Sequence, residues 1–128
     1  MTAARIEHVN ITVSDPERSA QLMEKLCGWQ ERWRGPSLLS GRTIHVGSDS
    51  EYLAIYTNDN VTGGFQKMVP LNHVGLAVDD LDEAERIVTE AGLFPFNHSD
   101  YEPGPKSFYF LDWDGIEFEV VSYAGEAR

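Results

Sequence analysis

The chain has a single cysteine, Cys27, in 128 residues. That excludes an intramolecular disulfide and a thiolate cluster, so any metal must be held by histidines and carboxylates. Basic side chains are also scarce: 10 Lys and Arg stand against 21 Asp and Glu, for a formal charge of −11. Such a surface repels phosphate backbones and anionic bilayers, which excludes nucleic acid as a natural partner. No apolar run approaches the length of a membrane span. Residues 1–7 lack the basic, apolar and small-residue order of a secretory signal, so the expectation is a cytoplasmic protein with no membrane association. An apolar fraction of 41% and a charged fraction of 24% exclude a disordered or fibrous chain. The length suits one domain, residues 1–128, with a core of its own.

What is present is a repeat. The run Ile6-Glu7-His8-Val9-Asn10-Ile11-Thr12-Val13-Ser14-Asp15 returns as Leu71-Asn72-His73-Val74-Gly75-Leu76-Ala77-Val78-Asp79-Asp80, an offset of 65 residues. The same offset places Asp49 on Asp114 and Ile55 on Val120, while Gly28 meets Gly92 with a slip of one. Each copy opens on an alternating segment, with Val9, Ile11 and Val13 on one face and His8, Asn10 and Thr12 on the other. A helix follows. Asp15-Pro16-Glu17 provides a cap and a first-turn proline for the first, with Gly28 as its stop. Asp80 with Glu83 resembles a capping box for the second, with Gly92 as its stop.

Strands are then expected over residues 30–34, 43–47 and 51–57, and over 94–97, 107–111 and 116–123. Ser48-Asp49-Ser50 and Trp113-Asp114-Gly115 read as hairpin turns. The predicted fold class is α+β: two tandem βαβββ modules forming a cupped, partly closed mixed sheet with the helices outside. Module one covers 5–57, an exposed linker 58–70, and module two 71–124.

Strand alternation turns His8 and His73 away from the helix-packing face. In the last strand Phe118 and Val120 share one face and Glu117 and Glu119 the other, so Glu119 faces the same way as the histidines. Two imidazoles and a carboxylate on rigid strands suit Fe(II), Mn(II) or a similar ion while leaving positions open for substrate. The repeat partner of Glu119 is Ala54, which cannot bind metal. Tyr52 and Tyr56 flank Ala54; they either line the open side as substrate contacts or fill the space a ligand would take. His45, opposite Phe110 in the repeat, is either a plain strand histidine or, with His98 as the other candidate, a catalytic base. Trp29 and Trp33 read as core or interface residues.

The paired units and the run Phe108-Tyr109-Phe110-Leu111-Asp112-Trp113-Asp114-Gly115-Ile116-Glu117-Phe118-Glu119 resemble the glyoxalase, bleomycin-resistance and extradiol-dioxygenase proteins, the vicinal oxygen chelate superfamily. The resemblance spans residues 6–123, with Trp113 in place of the family's usual proline. It implies His8, His73 and Glu119 as metal ligands, prefers Glu119 over Glu117 by motif spacing, and implies Tyr109 as a catalytic contact to substrate oxygen. It further implies a divalent cofactor (Fe2+, Mn2+, Zn2+ or Ni2+), a small-molecule substrate and a homodimer. With Ala54 in the fourth position, a three-ligand extradiol-dioxygenase type of site is favoured. A glyoxalase-type lyase or isomerase is the alternative, and a metal-free bleomycin-resistance type of binding protein is a second. A phosphonate-handling thiol transferase would need cations near the motif, where Lys106 is the candidate substrate contact.

Overall fold

The computed structural model describes residues 5–38, 40–61, 64, 71–101 and 104–123. The chain divides into two compact units, Met1–Thr62 and Gly63–Arg128. Their boundary falls inside the expected linker, most of which lies outside the described residues, as does the end of module two beyond Tyr123.

The first unit runs β1 (His8–Thr12), α1 (Pro16–Cys27), β2 (Gln30–Pro36), β3 (Arg42–Gly47) and β4 (Tyr52–Thr57). The second runs β5 (Val74–Ala77), α2 (Leu81–Glu90), β6 (Phe96–Asp100), β7 (Lys106–Leu111) and β8 (Glu117–Ser122). Each forms a four-stranded mixed sheet, ordered β1-β4-β3-β2 and β5-β8-β7-β6, so the α+β reading holds with one βαβββ sheet per unit. The opening strand of each unit lies parallel to its last strand, and the remaining pairs are antiparallel. Among the described residues no helix is long and apolar enough to cross a membrane.

Local chemistry sets the helix ends. The Asp15 carboxylate accepts from the Arg18 amide at 3.1 Å and Pro16 occupies the first turn. Gly28 closes the helix with φ 68°, a left-handed conformation that glycine adopts without steric cost. In the second unit the Asp80 carboxylate accepts from the Glu83 amide at 3.0 Å. Ala20, Leu22, Met23 and Leu26 of α1 are buried, as are Ile11, Ile44, Val46, Leu53 and Ile55 of its sheet. In the second unit Ala84 and Val88 of α2 are buried together with Phe108, Phe110, Phe118 and Val120, and the rings of Phe110 and Phe118 stack at 5.3 Å. One face of each sheet is thus committed to its helix. Alternation presents the other.

The hairpin at 112–116 is tied by one carboxylate. Asp112 accepts from the amides of Asp114 at 2.9 Å and Ile116 at 2.8 Å, and Gly115 takes φ 85°. Trp113 follows the capping Asp112 at the second position of this turn.

Two expectations need correction. The strand predicted over 94–97 is β6 over Phe96–Asp100, because Phe94 is 82% exposed and Asn97, at φ 51°, carries an irregularity between Phe96 and Ser99. The repeat partner of His45 is Tyr109 and not Phe110. His45 pairs with Ala54 as Tyr109 pairs with Glu119. The slip of one residue is absorbed in the last hairpin, where Gly47 pairs with Tyr52 but Leu111 with Glu117, so the second connection is one residue longer.

Truncating the stacked core should be costly. Phe110→Ala is expected to lower unfolding free energy by about 3–5 kcal/mol, and Asp80→Ala by about 1 kcal/mol through the lost cap. Urea denaturation checks both; equal midpoints for Phe110→Ala and the parent would contradict the packing described.

Candidate functional site

In the second unit the parallel pairing sets Gly75 beside Glu119, and the antiparallel pairing sets Tyr109 on its other side. A Cβ added at Gly75 would meet nothing within 4 Å, so the carboxylate is not crowded from that flank. His73 stands one residue before β5, and its Nε2 lies 3.2 Å from Glu119 Oε1. Its Nδ1 is 2.8 Å from Asn72 Oδ1 and 4.0 Å from Glu117 Oε2. The Glu119 side chain retains 21% exposure against 7% for Glu117, which makes Glu119 the more accessible carboxylate.

Tyr109 meets the His73 ring edge-on at 5.6 Å. Burial, followed by the charge and hydrogen bond of Glu119, raises its phenol above the usual tyrosine range. Tyr109 therefore remains a proton donor toward the carboxylate. A cavity of about 380 Å³ opens here, lined by Asn72, His73, Asn97, Tyr101, Tyr109 and Glu117 among others. Polar groups dominate this lining.

The first unit uses the same backbone plan with different chemistry. Here the row across the sheet is Asn10, Ala54, His45 and Trp33. The His8 ring stacks on Tyr52 at 4.9 Å, Tyr52 stacks on His45 at 4.7 Å, and Trp33 lies 5.2 Å from His45. The Arg32 guanidinium carbon sits 4.5 Å above the Tyr52 ring, a cation–π contact. His8 Nδ1 is 2.9 Å from Glu7 Oε1. Burial, with the nearby His8 and Arg32, lowers the His45 pKa, so this imidazole is held neutral. Trp33 is 48% exposed and covers His45, which removes it from the expected core.

Several candidates stand apart from these groups. The Tyr56 hydroxyl donates to the Ser40 carbonyl at 3.0 Å and accepts from Asn58 Nδ2 at 3.1 Å, so it fastens the β2–β3 connection. Lys106 shares the strand face of Phe108 and Phe110, the helix side, opposite to Tyr109. His98 pairs with Glu85 of α2 and stacks on Phe108, and it is also among the residues that line the cavity beside His73 and Tyr109. Cys27 is no nucleophile: burial pushes its thiol up to about 12.

Among the described residues no group of three His, Cys, Asp or Glu side chains forms a ready metal cluster. His73 and Glu119 do converge, and an imidazole nitrogen with a carboxylate oxygen is a donor pair that fits a divalent ion. Asn72, Glu7 and Arg32 were missed by sequence reasoning. The repeat held a signal for the first two, since each directly precedes its histidine.

A chain of paired βαβββ units with histidine and glutamate on the open strand faces defines a class of small-molecule-binding folds. A family model described as the glyoxalase/bleomycin resistance protein/dioxygenase superfamily matches residues 5–120, and the chain belongs to that superfamily. No curated protein matches the sequence. Among solved structures, a glyoxylase/bleomycin resistance protein/dioxygenase domain from Frankia sp. EAN1pec is similar with TM-score 0.80 and 21% identity, over 94% of this chain and 98% of that one. A glyoxalase family protein from Enterococcus faecalis gives TM-score 0.71 and 20% identity, over 91% and 96%. The fosfomycin resistance protein FosX from Listeria monocytogenes, complexed with Mn(II) and sulfate ion, gives 0.70 and 14%, over 95% and 93%. At these identities the likeness is one of fold.

The depressed imidazole is directly measurable. In an NMR titration His45 is expected to protonate below the ordinary histidine value of about 6.5, and a midpoint at or above that value would contradict the burial described.

Proposed function

We propose that the chain is a divalent-metal-dependent enzyme acting on a small organic substrate that offers neighbouring oxygens to the ion, with His8, His73 and Glu119 as the protein ligands. The observation that carries this is the approach of His73 Nε2 to Glu119 Oε1 at 3.2 Å beside a polar cavity. When bound, the ion supplies Lewis acidity and an orienting template, and iron adds the capacity for dioxygen chemistry. The FosX structure with Mn(II) supports manganese among the candidate ions, with Fe2+, Zn2+ and Ni2+ as the others.

Tyr109, protonated beside Glu119, donates a hydrogen bond at the position where a substrate oxygen would be oriented. His45, held neutral, is able to accept a proton. Tyr52, its ring packed among His8, His45 and Arg32, is the candidate substrate contact of the first unit. Ala54 at the repeat partner of Glu119 favours an open three-ligand site of the extradiol-dioxygenase type over a four-ligand glyoxalase lyase or isomerase. The partly exposed group of Trp33, His45 and Tyr52 favours, as a second reading, a metal-free binding protein of the bleomycin-resistance type. Each sheet also ends on two edge strands, which supports a homodimer that buries apolar faces and edges.

Metal analysis separates the first two readings. The purified protein should carry or take up one ion per site and His73→Ala should lose it, with affinity falling by more than about 100-fold, beyond the effect of supporting residues alone. Unchanged ligand binding in His73→Ala without any metal would favour the binding protein. Oxygen uptake with a panel of catechols under Fe(II) is expected for the dioxygenase and absent for a lyase or isomerase. Light scattering should return twice the 14.4 kDa chain mass; a monomer would exclude the dimer.

A further inference from the structure

The pairing of β2 with β3 slips between Glu31 and Trp33, so that Arg32 is the extra residue of a bulge. On an unbroken strand residues 32 and 33 would face opposite sides of the sheet. Here both reach the side of His45. Trp33 pairs with His45 and its ring lies 5.2 Å away, while the Arg32 guanidinium carbon sits 4.5 Å over the Tyr52 ring on which His45 stacks. Gly35 gives the indole its room: a Cβ there would come within 2.7 Å of Trp33 Cζ2 and 2.9 Å of Cη2, so the ring lies back over the glycine. Arg32 and Trp33 are both exposed.

The charge of Arg32 is what sets this face apart. In a chain of −11, Arg34, Arg42 and Arg86 each bond a carboxylate. Among the described residues Arg32 forms no ion pair, and the acids around it are engaged elsewhere: Glu31 by Arg34, Glu7 by His8, and Glu51, which feels the Arg32 charge, by Ser50. A guanidinium stacked on a ring uses its flat face and keeps its N–H edge free. That edge matches the two oxygens of a carboxylate in a bidentate bond, and one cation matches one negative charge. Beside it the indole presents an aromatic surface of its own. We propose that Arg32 and Trp33 form a subsite for an aromatic carboxylate, the guanidinium holding the acid group and the indole packing against the ring; the inference names a substrate class for either reading above and rests on the chain being a small-molecule binder.

Naphthoate is the probe, titrated by calorimetry with EDTA present so that no metal holds the acid group. The Trp33 indole N–H, assigned with Trp33→Leu, is followed by NMR. The parent should bind saturably and shift that signal, and should bind naphthamide, which lacks the charge, more weakly by about 10-fold or more. Among variants of equal circular dichroism, Arg32→Gln should lose naphthoate affinity by about 10-fold or more, and Arg32→Lys, which keeps the charge without the planar fork, should recover part of it. Trp33→Leu should lose about 3–10-fold. Gly35→Ala, whose methyl displaces the indole, should weaken binding with every charge in place. No saturable naphthoate binding up to its solubility overturns the inference, as does an affinity indifferent to Arg32→Gln. A parent dimer that dissociates in Arg32→Gln or Trp33→Leu without ligand gives this face to a second copy of the chain and overturns it too. Metal content of the same preparations judges the metal-enzyme reading separately. Metal uptake with naphthoate binding independent of Arg32 leaves that reading and removes the inference, and binding that depends on Arg32 in a parent that takes up no metal does the reverse.

Discussion

Each unit depends on one pairing, that of its opening strand with its last strand in parallel. A parallel partner cannot be reached by a tight turn, so the chain needs a crossover, and the crossover carries the helix that covers one face of the sheet. The register of this pair then aligns everything else. In the second unit it sets Leu76 beside Val120 on the helix side and Gly75 beside Glu119 on the other. A shift of one residue would send Glu119 under α2 and bring Phe118 and Val120 out, exchanging the buried and chemical faces together. Burial of Phe118 and Val120, both fully inaccessible, is thus what holds Glu119 where it is.

That coupling explains which features could be read in advance. Helix starts at Asp15 and Asp80 were legible because a cap is a contact over three residues. The facing of Glu119 was legible because a strand has period two and its apolar members, Phe118 and Val120, announce the buried side. The orientation of His73 followed for the same reason. Features that depend on a partner distant in sequence were hidden. The pairing of His98 with Glu85 and its stacking on Phe108 were among these. Tyr56 read equally as a substrate contact or as a space-filler, and the bond from its hydroxyl to the Ser40 carbonyl, 16 residues away, was not visible in the pattern. The equivalence of His45 with Tyr109 was hidden for another reason. The extra residue in the second hairpin shifts the count by one, and only paired strands reveal it.

The two units keep one backbone plan and separate its chemistry. At corresponding positions Ala54 stands for Glu119, Tyr52 for Glu117, His45 for Tyr109 and Trp33 for Phe96. Carboxylates gather in the second unit, and rings with a guanidinium gather in the first. For the proposed ligand set this asymmetry has an electrostatic meaning. Two neutral imidazoles and the single charge of Glu119 would leave a divalent ion with net positive charge, able to polarise a substrate oxygen. A carboxylate in place of Ala54 would put a negative charge beside His45 on the first unit's sheet, which the alanine leaves out. Ala54 at 3% exposure has no polar atom beyond its backbone, so the space beside His45 is given to a methyl group and the neighbouring rings. Within the first unit, the missing carboxylate at position 54 and the aromatic neighbourhood of His45 are thus the same substitution seen from two sides: one removes a charge from the strand face, and the other leaves Tyr52 and Trp33 packed about the imidazole in its place.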